Sequence, residues 1–425
     1  MKKLTKYNTN YFTGTIGVNT TYHLFQREGQ PICIKASFAA GARFAAKPGL
    51  AHFLEHMLLA GTENYPNKRI LVTPLENIGG SIGGTTDMDL LTLSLEIPEK
   101  KDLSIALSIL DEVINKPLFE NQTIETERGA ILAESQIRYR KKEIRVVDLA
   151  DTLYYQGTPC GILFSENEVA INSISKDDLI NFYEKIFKKS SINWTISGDI
   201  EKEDVVGTLA TIHKPTRSFN ETFSEKLTVA RVKTIEIENS EDDVANLYFG
   251  FRTESAGQAD AASLDVISTY LFRGRGCKLQ EELRYKLGLI YGCGGDNFLS
   301  FDRGDWSIST TCHADNAQKV LDTILREVGL IKNKGISEEE LELTKNKIIK
   351  NNIIKMQTSR SWVEVASKTS FLASPEKFLI DDYEKAIENV SNSSIMEVAK
   401  KYFSSNNWYL SMCGPKSLEN IKVSF

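Results

Sequence analysis

Two stretches of this chain, about 212–215 residues apart, repeat one pattern, and that repetition constrains the fold more than any other feature. The first reads TLSLEIPEKKDLSIALSILDEVI (Thr92–Ile114), then IETERGAIL (Ile124–Leu132). The second reads WSISTTCHADNAQKVLDTILREVGLI (Trp306–Ile331), then ISEEELELTKNKI (Ile336–Ile348). In each, a strand, a turn and two helices follow from the spacing of apolar residues. Similarity at such a period is what a duplicated domain leaves behind. A chain of 425 residues has room for two or three domains. We therefore expect an N-terminal domain at 1–206, a linker at 207–233 and a C-terminal domain of similar fold at 234–425. The linker is placed on Pro215 and its surrounding Ser, Thr and mixed charge.

Around the repeat, alternation predicts strands at Tyr11–Val18, Ile32–Phe38, Thr86–Ile97 and Ile192–Gly198. Helices are expected at Leu50–Ala60 and Lys176–Phe187. The second half adds strands at Asn246–Phe251, Ile290–Leu299 and Asp305–Cys312, with helices near Ala261–Leu271 and Lys278–Leu287. Periodicity thus reaches a two-domain α+β chain.

Charge and cysteine content narrow the function. Lys and Arg number 51 against 57 Asp and Glu, a net charge of −6, whereas a nucleic-acid surface needs a clustered basic excess. No run approaches the roughly 18 apolar residues of a membrane span, and no apolar segment follows Met1-Lys2-Lys3 as a signal peptide requires. The six cysteines form no Cys-x-x-Cys pair and read as reduced thiols, so a cytoplasmic protein is expected. RGRGC (Arg273–Cys277) and GCGGD (Gly292–Asp296) match no phosphate-binding loop and read as turns. The basic run RYRKKEIR (Arg138–Arg145) reads as the solvated face of a helix.

Of five histidines, two sit in AHFLEHM as His52 and His56. On a helix, positions i and i+4 share a face, so both imidazoles can address one ion. Glu55, at i+3 from His52, projects beside the same spot and is placed to act on a water at the metal without filling a coordination position. Chance would supply such a His-x-x-Glu-His about 0.01 times in a chain of this composition. A catalytic zinc takes three protein ligands and keeps a fourth position open. Glu127 and Glu134, seven residues apart and so two turns along one helical face, are candidates for the third, though judged alone a carboxylate at that spacing more often marks a solvated face.

His52-x-x-Glu55-His56, followed after 77 intervening residues by Glu134, resembles the pitrilysin, insulysin and mitochondrial-processing-peptidase family of inverzincins. Glu127 matches the family's Glu seven residues before its ligand Glu, GLAHFLEHMLLAGT (Gly49–Thr62) its active-site helix, and LENIGG (Leu75–Gly80) the turn before its substrate-binding edge strand. LQEELRYKLGLIYGCGG (Leu279–Gly295) is similar to its C-terminal substrate-binding element, with Arg284 and Tyr291 at the Arg and Tyr positions. Relatives commonly carry Asn-Ala in the edge strand where this chain has Gly83-Gly84, so the Asn side chain that would help hold the substrate backbone is missing and a change in substrate preference or rate is expected.

The resemblance implies two similar α/β sandwich domains, each a mixed sheet covered by helices on one side. It implies zinc held by His52, His56 and Glu134, Glu55 as general base, Glu127 supporting a ligand, and Arg284 and Tyr291 gripping the peptide carbonyl. The activity implied is hydrolysis of short unstructured peptides, leader segments or peptide precursors. It would take place inside a chamber formed by a dimer, the Arg–Tyr pair of one subunit facing the zinc of the other. A homodimer is preferred to a heterodimer with a paralogous chain, because this chain carries both elements. Some relatives are non-catalytic structural subunits, and that reading is the alternative, together with a zinc hydrolase acting on a non-peptide substrate.

Overall fold

The structure, a computed structural model, describes residues 2–16, 20–155, 167–217, 233–253, 260–300, 302–369 and 379–424. In chain order the strands are β1 (Lys2–Leu4), β2 (Thr9–Thr15), β3 (Thr20–Gln26), β4 (Ile32–Phe38), β5 (Ser81–Thr86), β6 (Leu91–Ile97), β7 (Ile192–Gly198), β8 (Lys233–Asn239), β9 (Val244–Thr253), β10 (Ile290–Leu299), β11 (Gly304–His313) and β12 (Trp408–Gly414). The α-helices of the first half are α1 (Leu50–Ala60), α2 (Lys68–Glu76), α3 (Leu103–Asn115), α4 (Asn121–Tyr139), α5 (Lys142–Tyr154), α6 (Glu168–Asn172), α7 (Lys176–Lys185) and α8 (Lys202–Ile212). Those of the second half are α9 (Asp260–Leu271), α10 (Ala317–Lys334), α11 (Glu338–Lys355), α12 (Ser359–Thr369), α13 (Ile380–Glu388) and α14 (Asn392–Tyr402). A π-helical stretch covers Gln280–Lys286.

The chain folds into two compact units. One takes Met1–Gln136, Gln156–Lys226 and Ile353–Phe371; the other takes Ile137–Tyr155, Leu227–Asn352 and Leu372–Phe425. Gly207–Ile212, at the start of the expected linker, are the last turns of α8, and 218–232 lie outside the described residues.

The first unit holds a seven-stranded sheet in the order β1-β2-β3-β7-β4-β6-β5, the second a five-stranded sheet in the order β10-β11-β9-β12-β8. Five consecutive strands of the larger sheet match the smaller one pair for pair. β3 runs parallel to β7 as β8 does to β12, and every other pairing in both series is antiparallel. The matched strands include β6 and β11, which carry the two copies of the sequence repeat. Both sheets are mixed, as the family resemblance implies.

Alternation sets the faces. In the first unit Ile32, Ile34, Ala36 and Phe38 of β4 and Leu91, Leu93, Leu95 and Ile97 of β6 point into one apolar core beneath α1, α3 and α7. In the second, Leu247, Phe249 and Phe251 of β9 and Trp306 and Ile308 of β11 do the same beneath α9, α10 and α14. The opposite face of each sheet is also met by a helix, and that helix comes from the other half of the sequence. Helix α12 packs on β3, β4 and β7, where Trp362 meets Phe25 at 5.0 Å and Tyr7 edge-on at 5.5 Å between centroids. Helix α5 packs on β9 and β12, and Ser411 donates a hydrogen bond to the Val146 carbonyl of its first turns. The expected solvated basic run is tied down here: Arg145 pairs with Glu238 at 2.6 Å, Arg138 with Asp148 at 2.8 Å, and Lys142 with Asp242.

The single long strand expected at Thr86–Ile97 is two strands, β5 and β6. Between them the Asp87 carboxylate accepts from the backbone N–H groups of Asp89 and Leu90 at 2.8 and 2.7 Å, an aspartate-centred turn within an otherwise alternating run. Gly292–Asp296, expected as a turn, lies inside β10.

One buried group gives a pH test of the first unit. His23 of β3 is 1% exposed, its Nδ1 lies 2.7 Å from the Tyr11 hydroxyl, and burial pushes its pKa down to about 4 from 6.5. The unfolded chain therefore binds this proton first. The contribution of neutral His23 is complete above about pH 6.5 and is lost as pH falls towards 4, at most about 3 kcal/mol. Urea unfolding across that interval is expected to show a shallower pH slope in His23→Gln than in the wild type.

Candidate functional site

Helix α1 is built on two faces. Phe53, Leu54, Met57 and Leu58 are completely buried, which fixes the rotation of the helix and leaves His52, Glu55 and His56 on the face away from the core. The two imidazole rings are 4.9 Å apart between centroids and nearly perpendicular, at 80°.

Helix α4 brings the acidic partners. Ile124 and Ile131 bury one of its faces, and Glu127 and Glu134 lie two turns apart along it. Arg128 sets its seating: the guanidinium lies 5.1 Å over the Phe53 ring of α1 and donates to the backbone carbonyls of Ile174, at 2.9 Å, and Ile171. Glu134 then reaches both histidines, its Oε2 lying 3.8 Å from Nε2 of His52 and 3.8 Å from Nε2 of His56. Glu127 accepts a 2.9 Å hydrogen bond from Nδ1 of His56, which holds the Glu127 carboxyl below the usual carboxylate range. That bond leaves Nε2 of His56 facing Glu134.

One ligand atom each from His52, His56 and Glu134 lies within 4.8 Å of the others, the one group of this kind among the described residues. A tetrahedral zinc with bonds of about 2.0–2.1 Å sets its ligand atoms about 3.3 Å apart. The two 3.8 Å separations to Glu134 lie about half an ångström above that figure, all three ligand atoms fall within 4.8 Å of one another, and two imidazoles with one carboxylate are a donor set zinc accepts. The residues present fit the metal.

Glu55 is buried, 9% exposed, and turns towards the edge strand β5. The Thr86 hydroxyl donates to its Oε2 at 2.7 Å. A Cβ placed on Gly84 would stand 2.6 Å from Cγ and 2.7 Å from Oε1 of Glu55. Gly84 therefore makes room for the carboxylate, a physical reason for glycine at this place in the strand.

The second unit gathers the other pair. Arg284, in the π-helical stretch, donates to the Tyr291 carbonyl at 2.6 Å, and its guanidinium lies 4.4 Å over the Tyr291 ring. Tyr291 itself is 81% exposed. Gly288, with φ +64°, ends the helix in the left-handed conformation that suits glycine, turning the chain into β10. By strand order, α9 occupies in this unit the place of α1 in the first, between the second strand of the matched hairpin series and the edge strand, and it contains no histidine.

Thr86 and Arg128 are the site residues that sequence reasoning missed. Threonine in a strand and arginine in a helix carry no local signal, and only the approach of β5 and α4 to α1 gives them a part.

Two family models match the chain: insulinase (peptidase family M16) over residues 33–163, and the peptidase M16 inactive domain over residues 173–348. The mitochondrial-processing peptidase subunit beta of Homo sapiens is 25% identical over 407 residues, covering 90% of this chain and 80% of that protein. An uncharacterized zinc protease of Rickettsia felis is 21% identical over 380 residues, covering 88% of this chain and 90% of that one. The crystal structure of a peptidase M16 inactive domain from Pseudomonas fluorescens superposes with a TM-score of 0.86 at 17% identity, covering 96% of this chain and 98% of that chain, a likeness of fold.

Replacing Glu127 by Gln removes the charged acceptor that orients His56. Zinc affinity, measured by competition with a chelating dye, is expected to fall by about 10–100-fold, with circular dichroism unchanged. This chain belongs to peptidase family M16, the insulinase-like zinc proteases, as a short two-domain member.

Proposed function

We propose that this chain is a zinc-dependent endopeptidase acting on short unstructured peptides or peptide precursors. The observation that carries the reading is the convergence of His52, His56 and Glu134 within 4.8 Å beside the buried carboxylate of Glu55. Zinc held by those three residues would supply a Lewis acid for a water and for the scissile carbonyl. Glu55 takes the proton from the attacking water and returns it to the leaving amine. Thr86, by donating to one carboxylate oxygen, leaves the other to meet the water. The peptide adds alongside the edge strand β5 through main-chain hydrogen bonds, which Gly83 and Gly84 can make as well as any residue. Arg284 and Tyr291 grip the peptide carbonyl and stabilise the developing oxyanion.

A metal-bearing unit joined to a unit with the Arg–Tyr pair supports the further reading that two copies work together, the Arg–Tyr pair of one serving the zinc site of the other. Among the described residues no helix is long and apolar enough to cross a membrane. We place the reaction in the cytoplasm, where the five described cysteines, all free, remain reduced.

The test is cleavage of a mixed unstructured-peptide library with zinc quantified in parallel. The wild type is expected to hold about one zinc per chain and to cleave. Glu55→Gln is expected to keep its zinc and lose about 10²–10⁴-fold in turnover. Zinc-loaded protein that cleaves no peptide would overturn the peptidase reading, and a chain that neither binds zinc nor cleaves would be a structural subunit. Arg284→Ala is expected to lower kcat/KM by about 10²–10³-fold. If the sites are shared between subunits, mixing inactive Glu55→Gln with inactive Arg284→Ala restores about a quarter of wild-type activity, one working site in half the dimers. No recovery from a re-equilibrated mixture would exclude that arrangement.

A further inference from the structure

On the face turned away from α1, the edge strand β5 has a gap in its row of side chains. Register sorts the strand into two sets. Ile82, Gly84 and Thr86 pair with Leu95, Leu93 and Leu91 of β6 and share the face of α1 and Glu55. Ser81, Gly83 and Thr85 pair with Glu96, Ser94 and Thr92 and lie on the other face. A Cβ placed on Gly83 would meet no heavy atom within 4 Å, whereas the place of a Gly84 Cβ is taken by the Glu55 carboxylate. Ser94, next inward on β6, is small as well, and the first long side chain of this row is Lys35 of β4. Ser81 and Thr85 bound the gap along β5, four residues and so about 13 Å apart, and the two strand spacings from β5 to β4 make it about 10 Å across. Helix α12 covers β3, β4 and β7 on this face. At the Ser81 end its Arg360 donates through Nε to Glu96 at 2.9 Å.

We propose that Gly83 is a specificity-determining residue: the gap over Gly83 and Ser94 receives an aromatic side chain of a peptide that adds along β5. The proposal rests on the peptidase reading for cleavage and adds to it the class of peptide preferred. β5 is last in the strand order, so its outer side is free to pair with an extended segment. Side chains of an added strand alternate between the two faces, and one of them comes to lie beside Gly83, about 5 Å away. A small side chain there leaves the glycine backbone open to water. The ring of Phe, Tyr or Trp lies across the glycine and reaches the diagonal and inward positions about 7–8 Å away. An aromatic neighbour also offsets the backbone freedom that a glycine brings to an edge strand.

Charge around the gap points the same way. The Glu96 carboxylate at its Ser81 end is already paired with Arg360 and accepts from the Cys33 thiol at 2.9 Å, so it does not call for a Lys or Arg from the peptide. The other boundary residues, Ser81, Thr85, Thr92 and Ser94, are small and uncharged. A neutral, flat side chain is what such a floor accepts. Position follows from the neighbouring glycine. Glu55 stands against Gly84, and the residue of an added strand beside Gly83 is one step along and on the opposite face. The aromatic residue is therefore expected within two residues of the cleaved bond. A side chain at position 83 would occupy the gap itself, and nothing in the fold opposes one there.

The probes are fluorescein-labelled Ser/Ala peptides, a parent and two series with a single Phe or a single Leu at successive positions. Binding is read by fluorescence anisotropy on the full-length Glu55→Gln protein with zinc added, and cleavage of the same peptides on the wild type. A Phe peptide is expected to bind about tenfold more tightly than the parent, and a Leu peptide no more than about threefold. As Phe moves along the peptide the cleaved bond is expected to move with it at a fixed separation. In Gly83→Asn, with circular dichroism and zinc content unchanged, the Phe advantage falls below about twofold; Gly83→Ala lies between. A Phe advantage that survives Gly83→Asn, or none in the parent protein, would overturn the assignment of Gly83. Leu binding as tightly as Phe would overturn the aromatic preference. Binding with the Phe advantage but without cleavage overturns the peptidase reading alone, and cleavage without the advantage overturns this proposal alone. Neither binding nor cleavage overturns both, because no peptide then adds to β5.

Discussion

The complete burial of Phe53, Leu54, Met57 and Leu58 leaves helix α1 one rotational setting, and the rest of the first unit is arranged around that setting. Four apolar side chains removed from water contribute several kcal/mol, far more than any polar contact on the opposite face. His52, Glu55 and His56 therefore lie on the opposite side of the helix, Glu55 buried against the edge strand β5. Phe53 has a second part, since its ring is the surface on which Arg128 rests, so the residue that anchors α1 also registers α4 against it. The distance from each imidazole to Glu134 follows from that stacking, and the bond from His56 to Glu127 follows with it.

The helix of the candidate site was legible because its evidence is local. The i, i+4 histidines with an interposed glutamate occupy five residues, and apolar periodicity marks the buried side of the same helix. Glu134 was not legible on its own, because a carboxylate two turns along a helix looks the same on a solvated face; the family resemblance selected it. Thr86 and Gly84 could not be read at all, since their relation to Glu55 exists only once β5 lies beside α1. The turn that separates β5 from β6 was concealed by its composition. Asp87, Met88 and Asp89 continue the alternation of polar and apolar residues, and only the carboxylate of Asp87 folding back on two N–H groups breaks the strand.

The two units show how one architecture can be divided between tasks. Both keep the same five-strand order and the same placement of a helix ahead of the edge strand, so their cores impose similar demands. What differs lies on surfaces that packing leaves free. One copy of the helix has histidines on its outward face and the other has none, while the second unit holds a guanidinium and a phenol where its helix turns into β10. A single helical face separates the unit that gathers His52, His56 and Glu134 from the one whose corresponding helix carries no histidine.

The exchanged helices bear on how the chain reaches this state during synthesis. The seven-stranded sheet has all its strands by Gly198, yet the helix that covers its second face extends to Thr369, so most of the protein must leave the ribosome before that face is closed. Until then the sheet exposes the side on which Phe25 and Tyr7 await Trp362. The N-terminal half, though it contains the residues proposed to bind the metal, is an unfinished body on its own, and the helix Lys142–Tyr154 that it carries belongs to a sheet not yet made. Division of this chain at its midpoint would produce two fragments that each lack a layer and each carry the layer the other needs, which makes them partners for reassembly rather than separable domains.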